Sequence, residues 1–176
     1  MAGEHTPSGK PWRRWVRHLW MDDDTVRHQI GTAGLDRLQA QVQASETRHL
    51  GELRLCVEGG LGWQGLRQKI SARERALHLF STLRVWDTEH NNGVLIYLLL
   101  AEHRIEILAD RGIMDRVGAD AWSHIAQQLG ARLREGHFEE GLSQAIEAVT
   151  RLLTEHFPAK PQGDNPNELP DTVVVI

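Results

Sequence analysis

Carboxylate and amide side chains gather at three places along this chain of 176 residues. Glu46 and Glu52 precede one apolar segment, Asp87, Glu89, Asn91 and Asn92 precede a second, and Asp110 and Asp115 follow a third. Oxygen donors of this kind suit a hard cation such as Ca2+ or Mg2+, which would also offset the repulsion between acids brought together. Asp and Asn serve equally as turn and cap residues, which is the competing reading of the same positions. Arg48, Arg84, Arg111 and Arg116 lie near these segments, either to pair with the acids or to grip a phosphate. His49, between Glu46 and Glu52, is a candidate ligand or general acid–base group. The other histidines have no zinc spacing, and a single cysteine rules out a CxxC site. Ser71 reads as a helix cap before it reads as a nucleophile. Gly59-Gly60-Leu61-Gly62 is read as a flexible loop without dinucleotide spacing. No catalytic residue is assigned.

The elements that must position these groups follow from periodicity. Residues 33–48 carry Leu35, Leu38, Val42 and Ser45 on one helical face, and Gly51 ends the run. Residues 52–58 alternate, with Leu53, Leu55 and Val57 facing one way and Arg54, Cys56 and Glu58 the other, as a strand requires. Ser71 followed by Glu74 is a capping box, opening a helix whose expected buried face is Ala76, Leu77, Phe80 and Leu83. Residues 93–101 are apolar throughout after Asn-Asn-Gly and read as a central strand covered on both faces. Residues 104–109 return as an antiparallel hairpin partner. Helices are expected over 119–134 and 139–157, and the final Val-Val-Val-Ile is a candidate edge strand. Trp63, Trp86 and Trp122 are expected to fill the core or its rim.

This order predicts a strand–helix–strand unit with parallel strands and a right-handed crossover. The result is a single α/β domain, a small mixed sheet sandwiched by helices. With the first two strands parallel and the third returning, all three acidic segments meet at one end of the sheet.

Charge and hydropathy set further bounds. The net charge is −4, but residues 1–20 carry Lys10, Arg13, Arg14 and Arg17 against Glu4, a balance of +3 that leaves −7 for the remainder. A mildly acidic domain lacks the basic face that nucleic acid needs. Residues 11–21 place Trp12, Trp15, Val16, Leu19 and Trp20 at helical spacing among arginines. That segment fits an amphipathic helix on an anionic membrane or a protein partner, or one that packs its tryptophans on the domain. The longest apolar run, 94–101, has eight residues, short of a membrane span. No secretory signal is visible. The expectation is a cytoplasmic protein, peripheral to the inner membrane, with Cys56 a buried structural thiol. The chain divides into a basic leader (1–21), a domain (22–158) and a tail (159–176).

Three stretches in order carry a family resemblance: ASETRHLGELRLCVE (44–58), WDTEHNNGVLIYLLLAEHRIEILADRGI (86–113) and AW…REGHFEEGLSQAIEAVTRLLTEHFP (121–158). Together they resemble the TPM domain family over roughly residues 30–158. The resemblance implies a three-layer α/β/α sandwich with a small mixed sheet. It also implies Ca2+ or Mg2+ at acidic loops at one end of the sheet, with Asp87, Asn92 and Asp110 as the matching positions and Glu46 nearby. Some relatives are described as acid phosphatases, so a metal-assisted phosphomonoesterase stands beside a non-catalytic metal-binding module with an assembly or envelope role. A membrane-peripheral partner-binding protein is the third reading. Many relatives have a signal peptide, a membrane anchor and an N-terminal Thr-Asp motif; here the leader is basic and tryptophan-rich instead.

Overall fold

A computed structural model gives the architecture and describes Trp15, Val16, His18, Met21 and residues 23–159 and 169–176. Most of the tryptophan-rich segment 11–21, and residues 160–168 of the tail, therefore lie outside the described residues.

From residue 23 the described elements run helix α1 (Asp23–Ile30), helix α2 (Thr32–Glu46), then strand β1 (Leu53–Glu58). Helices α3 (Trp63–Arg67) and α4 (Ala72–Thr82) cross to strand β2 (Val94–Leu99). A 3-10 turn at Leu100–Glu102 leads to β3 (Arg104–Ala109), followed by α5 (Arg111–Val117), α6 (Ala119–Arg134) and α7 (Phe138–His156). A two-residue strand, β4 (Val174–Val175), comes last.

The sheet order is β3-β2-β1-β4. β1 and β2 are parallel, with Leu53 opposite Val94 and Glu58 opposite Leu99. β2 and β3 are antiparallel, with Val94 opposite Ala109. β4 adds to the far side of β1 in parallel, Cys56 opposite Val174. The tight hairpin closes through His103 at φ 50, a left-handed conformation that follows the 3-10 turn.

Period-2 alternation sends successive side chains to opposite faces. Leu53, Leu55, Val57, Val94, Ile96 and Leu98 face one core, closed by α1, α2, α6 and α7. Cys56, Leu95, Tyr97 and Leu99 face a second core, closed by Leu66 of α3 and Ala72, Ala76 and Leu79 of α4. Helices thus cover both faces of a mixed sheet in three layers, which explains why β2 is apolar at every position. The Ser71 capping box is present: Ser71 Oγ accepts from Glu74 N at 3.2 Å and Ser71 N donates to Glu74 Oε2 at 2.8 Å.

Two side-chain expectations are corrected. α4 turns Leu79 inward rather than Leu77, which is left exposed, because its buried stripe runs Ala72–Ala76–Leu79. Of the three tryptophans expected in the core or rim, only Trp122 is buried; Trp63 and Trp86 are 61% and 50% exposed. Among the described residues, no helix is long and apolar enough to cross a membrane.

Candidate functional site

The register of β1, β2 and β3 puts Gly51-Glu52, Asn92-Gly93 and Asp110 at one end of the sheet. Val94 N donates to Glu52 O at 2.8 Å, and Asp110 N donates to Gly93 O at 2.9 Å. Asn92 and Asp110 therefore close adjacent strand ends. The first turn of α5 packs so tightly beneath the preceding loop that a Cβ at Gly112 would collide with the His90 carbonyl.

Both side chains in this corner are buried. Asn92 Nδ2 donates to Leu50 O at 3.0 Å, and Asn92 N donates to Thr88 Oγ1 at 3.1 Å. Asp110 caps α5, its Oδ1 accepting from Arg111 N at 2.7 Å. Each side chain keeps one oxygen in reserve: Asn92 Oδ1 and Asp110 Oδ2 are buried without a hydrogen-bond partner among the described residues. Asp110 thus fulfils the cap reading while leaving a carboxylate oxygen for something else.

The other two expected ligands have partners of their own. Asp87 is on an exposed turn, 3.8 Å from Arg84. Glu46, at the end of α2, belongs to a row of buried ionisable groups along β1. Its carboxyl accepts from Leu53 N and shares a hydrogen bond with Asp171; burial first, then Asp171, then the charge of Glu52 push it up to about 9. A carboxyl with that pKa is protonated at neutral pH and donates. Arg54 is buried next in the row; burial pulls its guanidinium down, while Cys56, Glu46, Asp171 and Glu52 pull the other way.

The row continues along the same face of β1. Burial pushes the Cys56 thiol up to about 12, which makes it unreactive. Glu58 is buried and doubly held: Arg75 Nε lies 2.9 and 3.1 Å from its two oxygens, and Tyr97 OH donates to Oε2 at 2.7 Å. Burial, then the Glu58 charge, raise the Tyr97 phenol, so it stays a donor. That Arg54 and Glu58 are buried beside Tyr97, with Arg75 and Asp171 half-buried against this row, was not foreseen. The signal was present: a strand beside an all-apolar central strand is covered on both faces, so its polar set must be buried too.

The remaining candidates resolve as structural contacts. Arg48 pairs with Glu147 at 3.3 Å, and Arg116 donates to His156 O at 2.6 Å while lying over the Phe157 ring. His49 is fully buried; its Nδ1 donates to Gly51 O at 2.9 Å, and burial lowers it to about 4. It is a neutral imidazole that fixes the turn before β1.

The glycine loop needs a correction. Gly60, Gly62 and Gly65 do have G-x-G-x-x-G spacing, after a strand and at the start of a helix, the context of a dinucleotide loop. A Cβ at Gly60, however, would collide with the His18 carbonyl. The close backbone approach that the glycines permit is taken by the chain's own N-terminal segment. Leu61 N donates to His18 Nδ1 at 3.0 Å, so Nε2 carries the proton and donates to Glu102 Oε1, also at 3.0 Å.

Among the described residues, no group of three or more His, Cys, Asp or Glu side chains is arranged to hold a metal ion. The Asn92–Asp110 corner offers one carboxylate and one amide oxygen. Both are donor types that hard cations take, together with backbone carbonyls and water.

Comparison with known proteins agrees with the architecture. No curated protein matches the chain. Among solved structures it is similar to the NMR structure of BA42 protein from the psychrophilic bacterium Bizionia argentinensis, with 28% identity and a TM-score of 0.71 over 81% of this chain and 92% of that one. The family model for the TPM domain matches residues 29–152, from the end of α1 into the last turns of α7, and the chain belongs to the TPM domain family.

Proposed function

We propose that the protein is a divalent-cation-binding module whose ion sits at the corner of Asn92 and Asp110. One observation carries this reading: two buried oxygens on adjacent strand ends, Asn92 Oδ1 and Asp110 Oδ2, have no hydrogen-bond partner among the described residues. A buried acceptor without a partner costs about 1–3 kcal/mol, more when charged. A hard cation satisfies both atoms at once. Asp87, on the exposed turn before this strand, would have to leave Arg84 to join. Glu46, protonated and engaged with Asp171, belongs to the structural row rather than to the ion.

Calorimetric titration of the full chain with Ca2+ and with Mg2+ tests the reading. Saturable binding is expected, and Asp110→Asn should weaken it at least about tenfold, because the substitution removes the charge yet keeps a good helix cap. Glu46→Gln should leave the affinity unchanged. Absence of binding to either ion, or parental affinity in Asp110→Asn, overturns it. Phosphatase activity would require turnover in addition; hydrolysis of p-nitrophenyl phosphate that needs the same ion and is lost in Asp110→Asn would place catalysis at this corner.

A further inference from the structure

We propose that Trp15, Val16, Trp63, Arg67 and Lys69 form one face that lies on an anionic phospholipid bilayer. This surface is separate from the cation corner and stands or falls independently of it. Trp15 and Trp63 meet edge to face, ring centroids 5.0 Å apart and planes at 69°. Trp15 is half-buried against the second core, whereas Trp63 is 61% exposed and Val16 45% exposed. Arg67 follows Trp63 by four residues on α3, one turn along the same side, and with Lys69 it is exposed.

His18 is fixed to this place. His18 is 3% exposed, with both ring nitrogens committed, one accepting from Leu61 N and the other donating to Glu102. Leu61 lies two residues before α3, so the same imidazole that holds His18 also sets its position against Trp63. Trp15 and Val16 are thereby presented as part of the folded surface.

Charge selects the occupant. Residues 10–21 carry Lys10, Arg13, Arg14 and Arg17 and no acid, and residues 61–70 carry Arg67 and Lys69 and no acid. Lys10, Arg13, Arg14 and Arg17 thus adjoin Trp15 in sequence, and Arg67 and Lys69 adjoin Trp63, in a chain whose net charge is −4. The next acids along the chain, Asp22, Asp23 and Asp24, come only at the start of α1. Indole rings at the headgroup level among Lys and Arg are the pattern of a protein lying on a membrane, and the basic residues make that attraction specific for anionic lipid.

Co-sedimentation of the full chain with phosphatidylcholine vesicles, with and without phosphatidylglycerol, decides the matter. Binding is expected only to the anionic vesicles and should weaken as salt rises. Trp63→Ala, and separately the double variant Arg67→Glu/Lys69→Glu, should each weaken it at least about tenfold. Trp86→Ala, an exposed tryptophan outside the face, should bind like the parent. Equal binding to both vesicle types overturns the proposal. So does parental binding in both α3 variants, which would leave α3 outside the membrane-binding surface. A concentration-dependent dimer that Trp63→Ala abolishes, without vesicle binding, overturns it in favour of a second copy of the chain.

Discussion

Glu46 and His49 stand three residues apart and answer to pH in opposite senses. Burial first, then Asp171 and Glu52, lift Glu46 from its ordinary 4.5 to about 9. An acid whose folded value lies above its unfolded value gives stability that is full below 4.5 and lost as pH rises to 9. Burial lowers His49 from 6.5 to about 4, so its contribution is full above 6.5 and lost as pH falls to 4. Each slope is at most about 1.4 kcal/mol per pH unit. Together they cancel between 4.5 and 6.5, leaving a plateau, and from 6.5 to 9 only the Glu46 loss remains. Glu46→Gln can still donate to Asp171 and accept from Leu53 N, and it has no proton to lose. Urea melts across this range should show the alkaline decline in the parent and its absence in Glu46→Gln, which becomes the more stable protein near the top of the window. A parallel decline in both would assign the loss to other groups. At this scale the sequence showed which residues carry charge but not which would meet. Asp171 lies far along the chain from Glu46, and no local spacing announces their hydrogen bond.

Glycines show how closely the elements are fitted. At Gly93, where β2 begins, a Cβ would collide with the Val85 backbone carbonyl, and backbone cannot give way as a side-chain tip can. Gly93→Ala should therefore destabilise the fold by at least about 3 kcal/mol, read from the shift in urea midpoint. Gly62→Ala is the contrasting case: φ is −58 there and a Cβ meets nothing within 4 Å, so the same substitution should be close to neutral. The long elements were legible because six to nineteen residues of alternation or helical spacing leave a clear pattern. α3 and α5 were not. They have five and seven residues, each with an internal glycine, and helical periodicity needs a longer window to appear. The hairpin and the parallel crossover followed from the order of apolar runs. The inward side of α4 was misjudged by a fraction of a turn, because Ala72 and Ala76 are small and leave little hydrophobic signal beside Leu77.

For the whole molecule, three layers around a four-stranded sheet join segments far apart in the chain, and β4 is the extreme case. Val174 pairs with Cys56, 118 residues earlier, through only two strand residues. With only two paired residues, the strand is expected to open before the rest of the sheet. Its fringe bonds, Gly59 N to Ile176 O at 2.7 Å and Ile176 N to Val57 O at 3.1 Å, should exchange amide hydrogen orders of magnitude faster than the Ile96 and Tyr97 amides of β2. Equal protection would instead place β4 within the cooperative unit. Departure of β4 would carry Asp171 away from Glu46 and bare the edge of β1. Such an edge is a row of unpaired backbone donors and acceptors, open to strand addition by another chain. The short C-terminal strand is thus a removable guard, and alkaline pH, which strips the proton between Glu46 and Asp171, weakens its hold.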